Sequence, residues 1–192
     1  SSGQPELVVT YSTSGGAGNQ APIINGGATL SITLPENTVT VAGVTAVDPD
    51  GQKITYSISG ADAAKFSINS STGILTFVTP PDFETIPSRT VYHVTAQASD
   101  GTLTSSQDIA VTITPVNEFA PAITSNGGDE TVNIDVAENT TDVTAIVAID
   151  SDLPAQSLEY VIVGGEDWQL FNLDSSGKLS FINPPSYNAQ AD

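Results

Sequence analysis

The chain has 192 residues, and its 22 acidic side chains against 4 Lys or Arg give a formal net charge of −18. Such a charge disfavours nucleic acids and anionic lipids as partners and attracts cations. The sequence contains no cysteine, which excludes disulfide bonds, thiolate metal sites and thiol catalysis. No apolar run reaches the roughly 18 residues of a membrane-spanning helix, so no membrane insertion is expected. Scattered acids are explained by solubility alone, and only clustered acids indicate a cation site.

The first 20 residues form an N-terminal arm ahead of the regular part of the chain. An apolar run over 7–11 is followed by a stretch rich in glycine and serine. Two interpretations stay open: the run is the last strand of a preceding repeat, or the arm is disordered. The first complete unit is expected to begin at residue 21.

Short runs of alternating apolar residues fill the next hundred residues, separated by turn sequences such as Asp50-Gly51. This spacing predicts an all-β fold, a two-sheet antiparallel sandwich of seven strands. Trp168 and Phe171 are expected to pack in the core of the second half. The predicted strands are 29–34, 39–47, 54–58, 66–68, 74–78, 91–98 and 109–114. Their predicted inward face consists of Ile54, Tyr56, Ile58, Phe66, Ile68, Leu75, Phe77, Tyr92, Val94, Ile109, Val111 and Ile113.

The second half of the chain repeats the first. The motif at 35–38 recurs at 137–140, an offset of 102 residues, and the motif at 71–77 recurs at 175–181, an offset of 104. These motifs recur in the same order and at nearly the same offset, which indicates tandem domains of about a hundred residues. The second copy lacks residues equivalent to 91–114, the last two predicted strands. Either this copy is truncated or another chain supplies the strands.

Acidic residues cluster around the linker 115–121. Residues i and i+2 of an extended segment face one side, so Asp82 and Glu84 are expected to present two carboxylates together, as are Asp150 and Asp152. Two carboxylates held close repel each other unless a cation lies between them. Calcium prefers six to eight hard oxygens, including backbone carbonyls such as those of the linker. The clustering therefore predicts a Ca²⁺ site at the linker.

These motifs, taken together, resemble those of the cadherin repeat. The motifs are Pro35-Glu36-Asn37, Asp82-Phe83-Glu84, Ala98-Ser99-Asp100-Gly101, Asn117-Glu118-Phe119-Ala120-Pro121 and Asp150-Ser151-Asp152. The resemblance extends from about residue 21 to the C-terminus. It implies tandem seven-stranded Greek-key sandwiches joined end to end, repeat 1 over 21–116 and a truncated repeat 2 over 117–192. It also implies calcium bound between successive repeats.

The resemblance implies a set of metal ligands at the junction. Pro115 stands where the family usually has an acid, and Phe119 replaces an Asn whose side chain is a ligand, so about two ions are expected. A weaker half-site at the other end of repeat 1, completed by Asn19 or Gln20, is implied by Asp48, Asp50 and Asp100. The implied junction ligands are Glu36, Asp82, Glu84, Glu118, Asp150 and Asp152, with backbone carbonyls of Val116 and Asn117.

The leading hypothesis is a calcium-binding extracellular module of a larger surface or secreted protein. It would rigidify the junctions between repeats for cell adhesion, with adjacent repeats, cell-surface proteins, polysaccharide or further copies as candidate partners. The absence of disulfides and the Thr- and Asp-rich composition favour a bacterial protein. The alternatives are a calcium-dependent carbohydrate-binding module and self-assembly by strand exchange through the incomplete repeat. One histidine and no cysteine argue against an enzyme.

Overall fold

The computed structural model describes residues 18–86 and 90–186. The predicted strand over 7–11 and the rest of the arm up to residue 17 lie outside these ranges. Within them, no helix has the length and apolar character needed to cross a membrane.

The chain divides into two compact units. Unit 1 comprises the described residues of 1–82 and 88–114, and unit 2 comprises those of 83–87 and 115–192. Residues 83–86 therefore belong with the second half of the chain, although they lie within the sequence of the first predicted repeat.

Unit 1 contains nine strands and one short 3₁₀ helix, Ala63–Lys65. The strands of three or more residues coincide with the predicted runs. The run predicted over 39–47 is two strands in the structure, and the last strand begins five residues earlier than predicted. The two-residue strand β1 was not predicted. The strands are β1 Ile23–Ile24, β2 Thr29–Pro35, β3 Thr40–Gly43, β4 Ala46–Val47, β5 Thr55–Ser59, β6 Phe66–Ile68, β7 Ile74–Phe77, β8 Val91–Ser99 and β9 Thr104–Thr114.

The strands of unit 1 form the two layers of a β-sandwich. One sheet has the order β2-β9-β8-β5 and the other β3-β7-β6, with β1 and β4 as a separate pair. Strands β8 and β9 are antiparallel to each other, and β5 is antiparallel to β8. Strand β2 runs parallel to β9, with Leu30 opposite Ile109. The expectation of a wholly antiparallel sandwich is therefore wrong for this pair, because alternation of apolar residues does not reveal strand direction.

The core of unit 1 is formed by the alternate apolar residues of these strands. Leu75 is fully buried, and Phe66 stacks on Phe77 with ring centroids 4.5 Å apart. Tyr92 meets both rings edge-on. The other predicted inward residues are buried on β8 and β9, whereas those on β5 and Ile68 are half-buried. The predicted inward face is thus the observed one.

Unit 2 repeats part of this arrangement. Its sheets have the orders β11-β14-β13 and β10-β12, and Phe171 stacks on Phe181 at 4.6 Å as Phe66 does on Phe77. Short 3₁₀ turns span Ser125–Gly128 and Trp168–Leu170. The strands are β10 Ala122–Ile123, β11 Asp142–Ala145, β12 Ala148–Ile149, β13 Phe171–Leu173 and β14 Lys178–Phe181.

Two apolar segments of unit 2 have no strand partner among the described residues. Residues 132–136 follow the pattern of β2, and residues 158–162 follow that of β5, but neither is assigned as a strand. In unit 1, β8 and β9 lie between β2 and β5. Trp168 is 51% exposed, so the expectation that it packs in the core is wrong. In unit 1, β8 and β9 cover side chains of the core. The corresponding side chains of unit 2 are accessible to solvent.

Both units share a glycine–tyrosine corner. In unit 1 the hydroxyl of Tyr56 accepts a hydrogen bond from the backbone N–H of Ala46 at 3.0 Å, and the carbonyl of Gly73 accepts one from Val44 at 2.9 Å. Gly73 has a φ of +71°, and a Cβ there would lie 2.0 Å from the carbonyl oxygen of Val44. Unit 2 has the same arrangement at Gly177. The glycine is therefore required both by backbone conformation and by space.

Candidate metal centre

Asp152 is the buried acid of the linker region in unit 2. It is 1% exposed, and its Oδ1 accepts hydrogen bonds from the backbone N–H groups of Glu118 at 3.1 Å and Phe119 at 3.2 Å. Its Oδ2 also accepts from Phe119 N–H, at 3.2 Å. A buried carboxylate is tolerated where hydrogen bonds of this kind hold it. Phe119 thus contributes a backbone contact although its side chain cannot bind a metal.

The acids of this region lie in or beside turns. Residue 152 donates its N–H to Oδ1 of Asp150 at 2.9 Å, an Asx turn that follows β12. Residues 83–85 also form a turn, and Asp82 and Glu84 belong to different units. The extended segments expected at these two pairs are therefore turns, and the turn after β12 is capped by the side chain of Asp150.

Glu84 carries the most informative atom of the site. Its Oε1 accepts a hydrogen bond from the backbone N–H of Leu153 at 3.1 Å, whereas its Oε2 is buried and has no hydrogen-bond partner. Carboxylate oxygens of Glu84 and Glu118 lie within 4.8 Å of each other. Two oxygens bound to one Ca²⁺ at about 2.4 Å are separated by no more than about 4.8 Å. A buried acceptor without a donor, next to a second carboxylate, fits a hard cation.

Gln156 supports the same region and was not expected from the sequence. It accepts a hydrogen bond from the side chain of Asn117 at 3.0 Å, and its own amide approaches Oδ2 of Asp152 at 3.5 Å. These two contacts connect the linker residue Asn117 with the turn after Asp152. A lone glutamine in a polar loop carries no motif, so only the structure identifies it.

The remaining predicted ligands are distributed over both units. Glu36 lies in unit 1, is 3% exposed and donates its backbone N–H to Thr114 O at 2.9 Å. Asp82, also in unit 1, is half-buried. Val116 belongs to unit 2 and its side chain is exposed. Acidic side chains are seldom buried, so the burial of Glu36 indicates a structural or ligand role.

The residues of the predicted weaker half-site are linked by hydrogen bonds within unit 1. Asp48 is buried, and its Oδ1 accepts from the backbone N–H groups of Asp50 at 2.9 Å and Gln52 at 3.0 Å. Its Oδ2 is buried without a hydrogen-bond partner. Oδ2 of Asp50 accepts from Gln20 N–H at 2.7 Å, as Asp152 accepts from Phe119 in unit 2. Asp48 and Asp50 therefore accept hydrogen bonds in unit 1 much as Asp150 and Asp152 do in unit 2.

Asp100 joins this cluster through Asn19. The amide of Asn19 donates to Oδ2 of Asp100 at 2.9 Å, and Oδ1 accepts from the backbone N–H groups of Leu103 at 2.7 Å and Thr102 at 2.6 Å. The bond from Leu103 is the main reason that the pKa of Asp100 lies below its usual value of 3.8. Asp100 is therefore ionised at neutral pH, as a metal ligand must be.

The low pKa of Asp100 gives a pH prediction. Because the folded state favours its ionised form, this group stabilises unit 1 fully above pH 3.8 and loses that contribution as the pH falls through the lower folded value. We expect the carboxyl ¹³C resonance of Asp100, followed by NMR in chelator, to titrate below pH 3.8. In an Asn19→Ala variant the midpoint should rise only slightly, since Asn19 is a smaller contributor than Leu103. A midpoint at or above 3.8 in the unmodified chain would contradict the assignment.

Comparison with known proteins identifies the family of the first unit. Residues 30–114 match the family model of the cadherin domain. The chain contains a cadherin domain. The match covers β2 to β9, and the acids Glu36, Asp48, Asp82 and Asp100 lie within it.

Relatives of this cadherin-domain chain are cadherins and protocadherins of animals. It is 36% identical to human Protocadherin-23 over 143 residues. This alignment covers 69% of this chain and 4% of that protein. It is 28% identical over 166 residues to mouse Cadherin-related family member 2, covering 82% of this chain and 12% of that protein. The chain thus spans a small part of the curated relatives it matches.

Solved structures of cadherins share the fold. Human Protocadherin-24 EC1-2 superposes with a TM-score of 0.62 at 24% identity, covering 90% of this chain and 82% of that chain. Drosophila N-cadherin EC1-4 gives a TM-score of 0.64 at 23% identity, covering 91% and 43%. The cadherin β-sandwich predicted from the sequence is therefore confirmed.

Proposed function

We propose that this chain is a calcium-binding adhesion module of a larger extracellular protein. The observation that carries the proposal is Oε2 of Glu84, a buried carboxylate oxygen without a hydrogen-bond donor, beside the carboxylate of Glu118. Burying an unpaired anionic oxygen is costly. A cation relieves that cost, and carboxylate oxygens are the ligands that calcium prefers.

Several residues of unit 2 would hold the ion. Glu84 and Glu118 would supply carboxylates, and Asp150 and Asp152, which are oriented by the Asx turn and by the linker amides, are further carboxylate ligands of the proposed site. The backbone carbonyls of Val116 and Asn117 are further candidates. When bound, calcium would supply a positive charge that neutralises these acids. Participation of Glu36 and Asp82 from unit 1 rests on the cadherin resemblance, as does the expected number of about two ions.

The charge of the whole chain supports the same proposal. A net charge of −18 destabilises the compact state by self-repulsion, and bound divalent cations reduce it. Extracellular calcium modules bind at roughly 10⁻⁴ to 10⁻³ M, concentrations found outside cells. Calcium would stiffen the linker between repeats, and the stiffened array would present its surface to another cell. The cell-surface location of the chain is part of this proposal.

The partners and origin of the protein belong to the proposal as well. Adjacent repeats and further cadherin copies are the partners that a cadherin domain favours. The sequence has no evident aromatic platform for a polysaccharide, and no observation favours carbohydrate binding. The relatives described above come from animals, so the bacterial origin favoured by composition remains a prediction without support from them. Cadherin domains are adhesion modules, and no catalytic role is proposed.

A calcium titration tests the proposal. We expect isothermal titration calorimetry to give a stoichiometry of about two ions for the unmodified chain, and the melting temperature to rise with calcium because ligand binds the folded state. Glu84→Gln keeps the size of the side chain and removes its charge, so affinity at the tightest site should fall at least about tenfold. If calcium leaves the melting temperature unchanged and releases no binding heat, the acids only solubilise the protein.

A further inference from the structure

Two Asn-Gly pairs occur in the chain, Asn25-Gly26 in unit 1 and Asn126-Gly127 in unit 2. In such a pair no Cβ shields the backbone nitrogen that follows the asparagine, and glycine gives the backbone the freedom to bring this nitrogen to the side-chain amide. Both asparagines are exposed. The two pairs therefore offer the same chemistry in two different surroundings.

Asn25 is held in place through its backbone and its side chain. Its backbone N–H donates to the carbonyl of Thr45 at 2.9 Å, and its Nδ2 donates to Oγ1 of Thr45 at 2.9 Å. The carbonyl of Gly27, two residues on, accepts from Nε2 of the buried Gln107 at 2.8 Å. The Asn25 side chain and the backbone after it can rotate freely only after these bonds open.

Asn126 has a weaker restraint on its side chain. Among the described residues its side-chain amide makes one hydrogen bond, from Nδ2 to Oγ1 of Thr144 at 3.4 Å. This distance is longer than the usual range of about 2.7 to 3.2 Å. Turning the Asn126 amide towards the Gly127 nitrogen therefore breaks one weak side-chain bond.

A carboxylate lies next to the backbone of Gly127. Oδ2 of Asp129 is 3.6 Å from the point at which a Cβ of residue 127 would lie. Because a Cβ lies about 2.5 Å from the nitrogen of its own residue, this carboxylate can reach the Gly127 N–H after a side-chain rotation. A carboxylate in this position can accept the proton as a general base. The equivalent position after Asn25 is Ala28, which has no such group.

We propose that Asn126 is a site of spontaneous deamidation, with Asp129 as its base. The Gly127 nitrogen gives its proton to Asp129 and bonds to Cγ of Asn126, which closes a succinimide ring. The bond from Cγ to Nδ2 breaks, and the leaving nitrogen takes up the proton and departs as ammonia. Water then opens the ring at either carbonyl, which leaves aspartate or isoaspartate at position 126.

The modification changes unit 2 in two ways. Either product adds a negative charge beside Asp129 and Glu130, in a chain whose net charge is already −18. Isoaspartate also lengthens the backbone by one methylene group between β10 and the segment 132–136. The reaction uses only this turn and water, so the inference is independent of the proposed calcium site. The modified fraction increases with the age of the protein.

The test follows both Asn-Gly pairs in one sample. The chain is incubated at neutral pH, in calcium and in chelator, and proteolytic peptides that contain each site are quantified over time by mass spectrometry. Electron-transfer fragmentation distinguishes isoaspartate from aspartate. We expect conversion at Asn126 to be at least about tenfold faster than at Asn25, because the hydrogen bonds of Asn25 must open first. Isoaspartate should be the main product.

Three variants test the surroundings of the two sites. Asp129→Asn should slow conversion at Asn126 by at least about threefold, below the roughly 10²-fold contribution of a positioned base in an enzyme. Glu130→Gln removes the same charge from the neighbouring residue and should leave the rate unchanged. Thr45→Val removes the acceptor of the Asn25 side chain and should speed conversion at Asn25 alone.

Three other results overturn the inference. Equal rates at Asn25 and Asn126 show that the turn of unit 2 has no special reactivity. Equal slowing by the two acid substitutions shows that Asp129 acts through its charge alone and not as a base. Aspartate formed without isoaspartate shows direct hydrolysis of the side-chain amide in place of attack by the Gly127 nitrogen.

Discussion

Asp152→Asn is expected to lower the calcium affinity of unit 2 by about 100-fold while leaving its apo fold largely intact. Asparagine has the same shape, and its Oδ1 can keep the hydrogen bonds from Glu118 and Phe119 N–H at 3.1 and 3.2 Å. Its Nδ2 replaces Oδ2 and loses only the longer contacts from Phe119 N–H and the Gln156 amide, at 3.2 and 3.5 Å. It loses the negative charge, and calcium affinity follows the number of charged ligands. The measurement is isothermal titration calorimetry, with melting curves in chelator to check the apo state.

The matched control for this variant is Asp142→Asn, which changes the net charge by the same amount in the same unit. Asp142 is an exposed partner of Lys178 at 2.8 Å, and exposed pairs of this kind contribute at most about 1 kcal/mol. Its calcium affinity should match that of the unmodified chain. Equal affinities in both variants would show that Asp152 serves the fold of the linker and not the ion.

Gly73→Ala is expected to destabilise unit 1 by about 2 to 5 kcal/mol. A left-handed backbone costs a non-glycine residue about 1 to 2 kcal/mol, and the glycine has a φ of +71°. The new Cβ would also lie 2.0 Å from the carbonyl oxygen of Val44, a backbone atom in the link between β3 and β4 that can yield only if this link shifts. Overpacking of this kind costs about 1 to 3 kcal/mol more. Urea denaturation in chelator, followed by circular dichroism, gives the change.

Gly51→Ala separates the two contributions. Its φ of +76° nearly equals that of Gly73, but a Cβ there would have no atom within 4 Å. Only the backbone cost of about 1 to 2 kcal/mol should remain. If both variants lose the same stability, the clash with Val44 is relieved without cost and the corner is less rigid than its geometry implies.

Alternation and turn residues identify most strands of unit 1 but not how they pair. Leu30 and Ile32 are recognisably strand residues, yet nothing local shows that β2 pairs with β9, about 80 residues away, or that it does so in parallel. The same limit applies to Trp168. A large apolar side chain is usually buried, and its exposure depends on whether other strands cover it.

The acids of the metal centre could be selected from the sequence, but their geometry could not. Glu84 and Asp152 belong to motifs that resemble those of cadherins, whereas the turn at 83–85 and the bonds from the linker amides to Asp152 depend on the folded chain. The unpaired Oε2 of Glu84 is a consequence of burial and of the positions of all its neighbours. Gln156 has no sequence signal at all.

The parallel pairing of β2 with β9 has a mechanical consequence. Pulling on the chain at the start of β2 and at the end of β9 drags these two strands past each other along their length. All seven residue pairs between them, from Thr29–Asp108 to Pro35–Thr114, then carry the load together. An antiparallel hairpin pulled from its open end breaks its pairs one after another. Unit 1 is therefore built to resist tension applied through its two ends by shear.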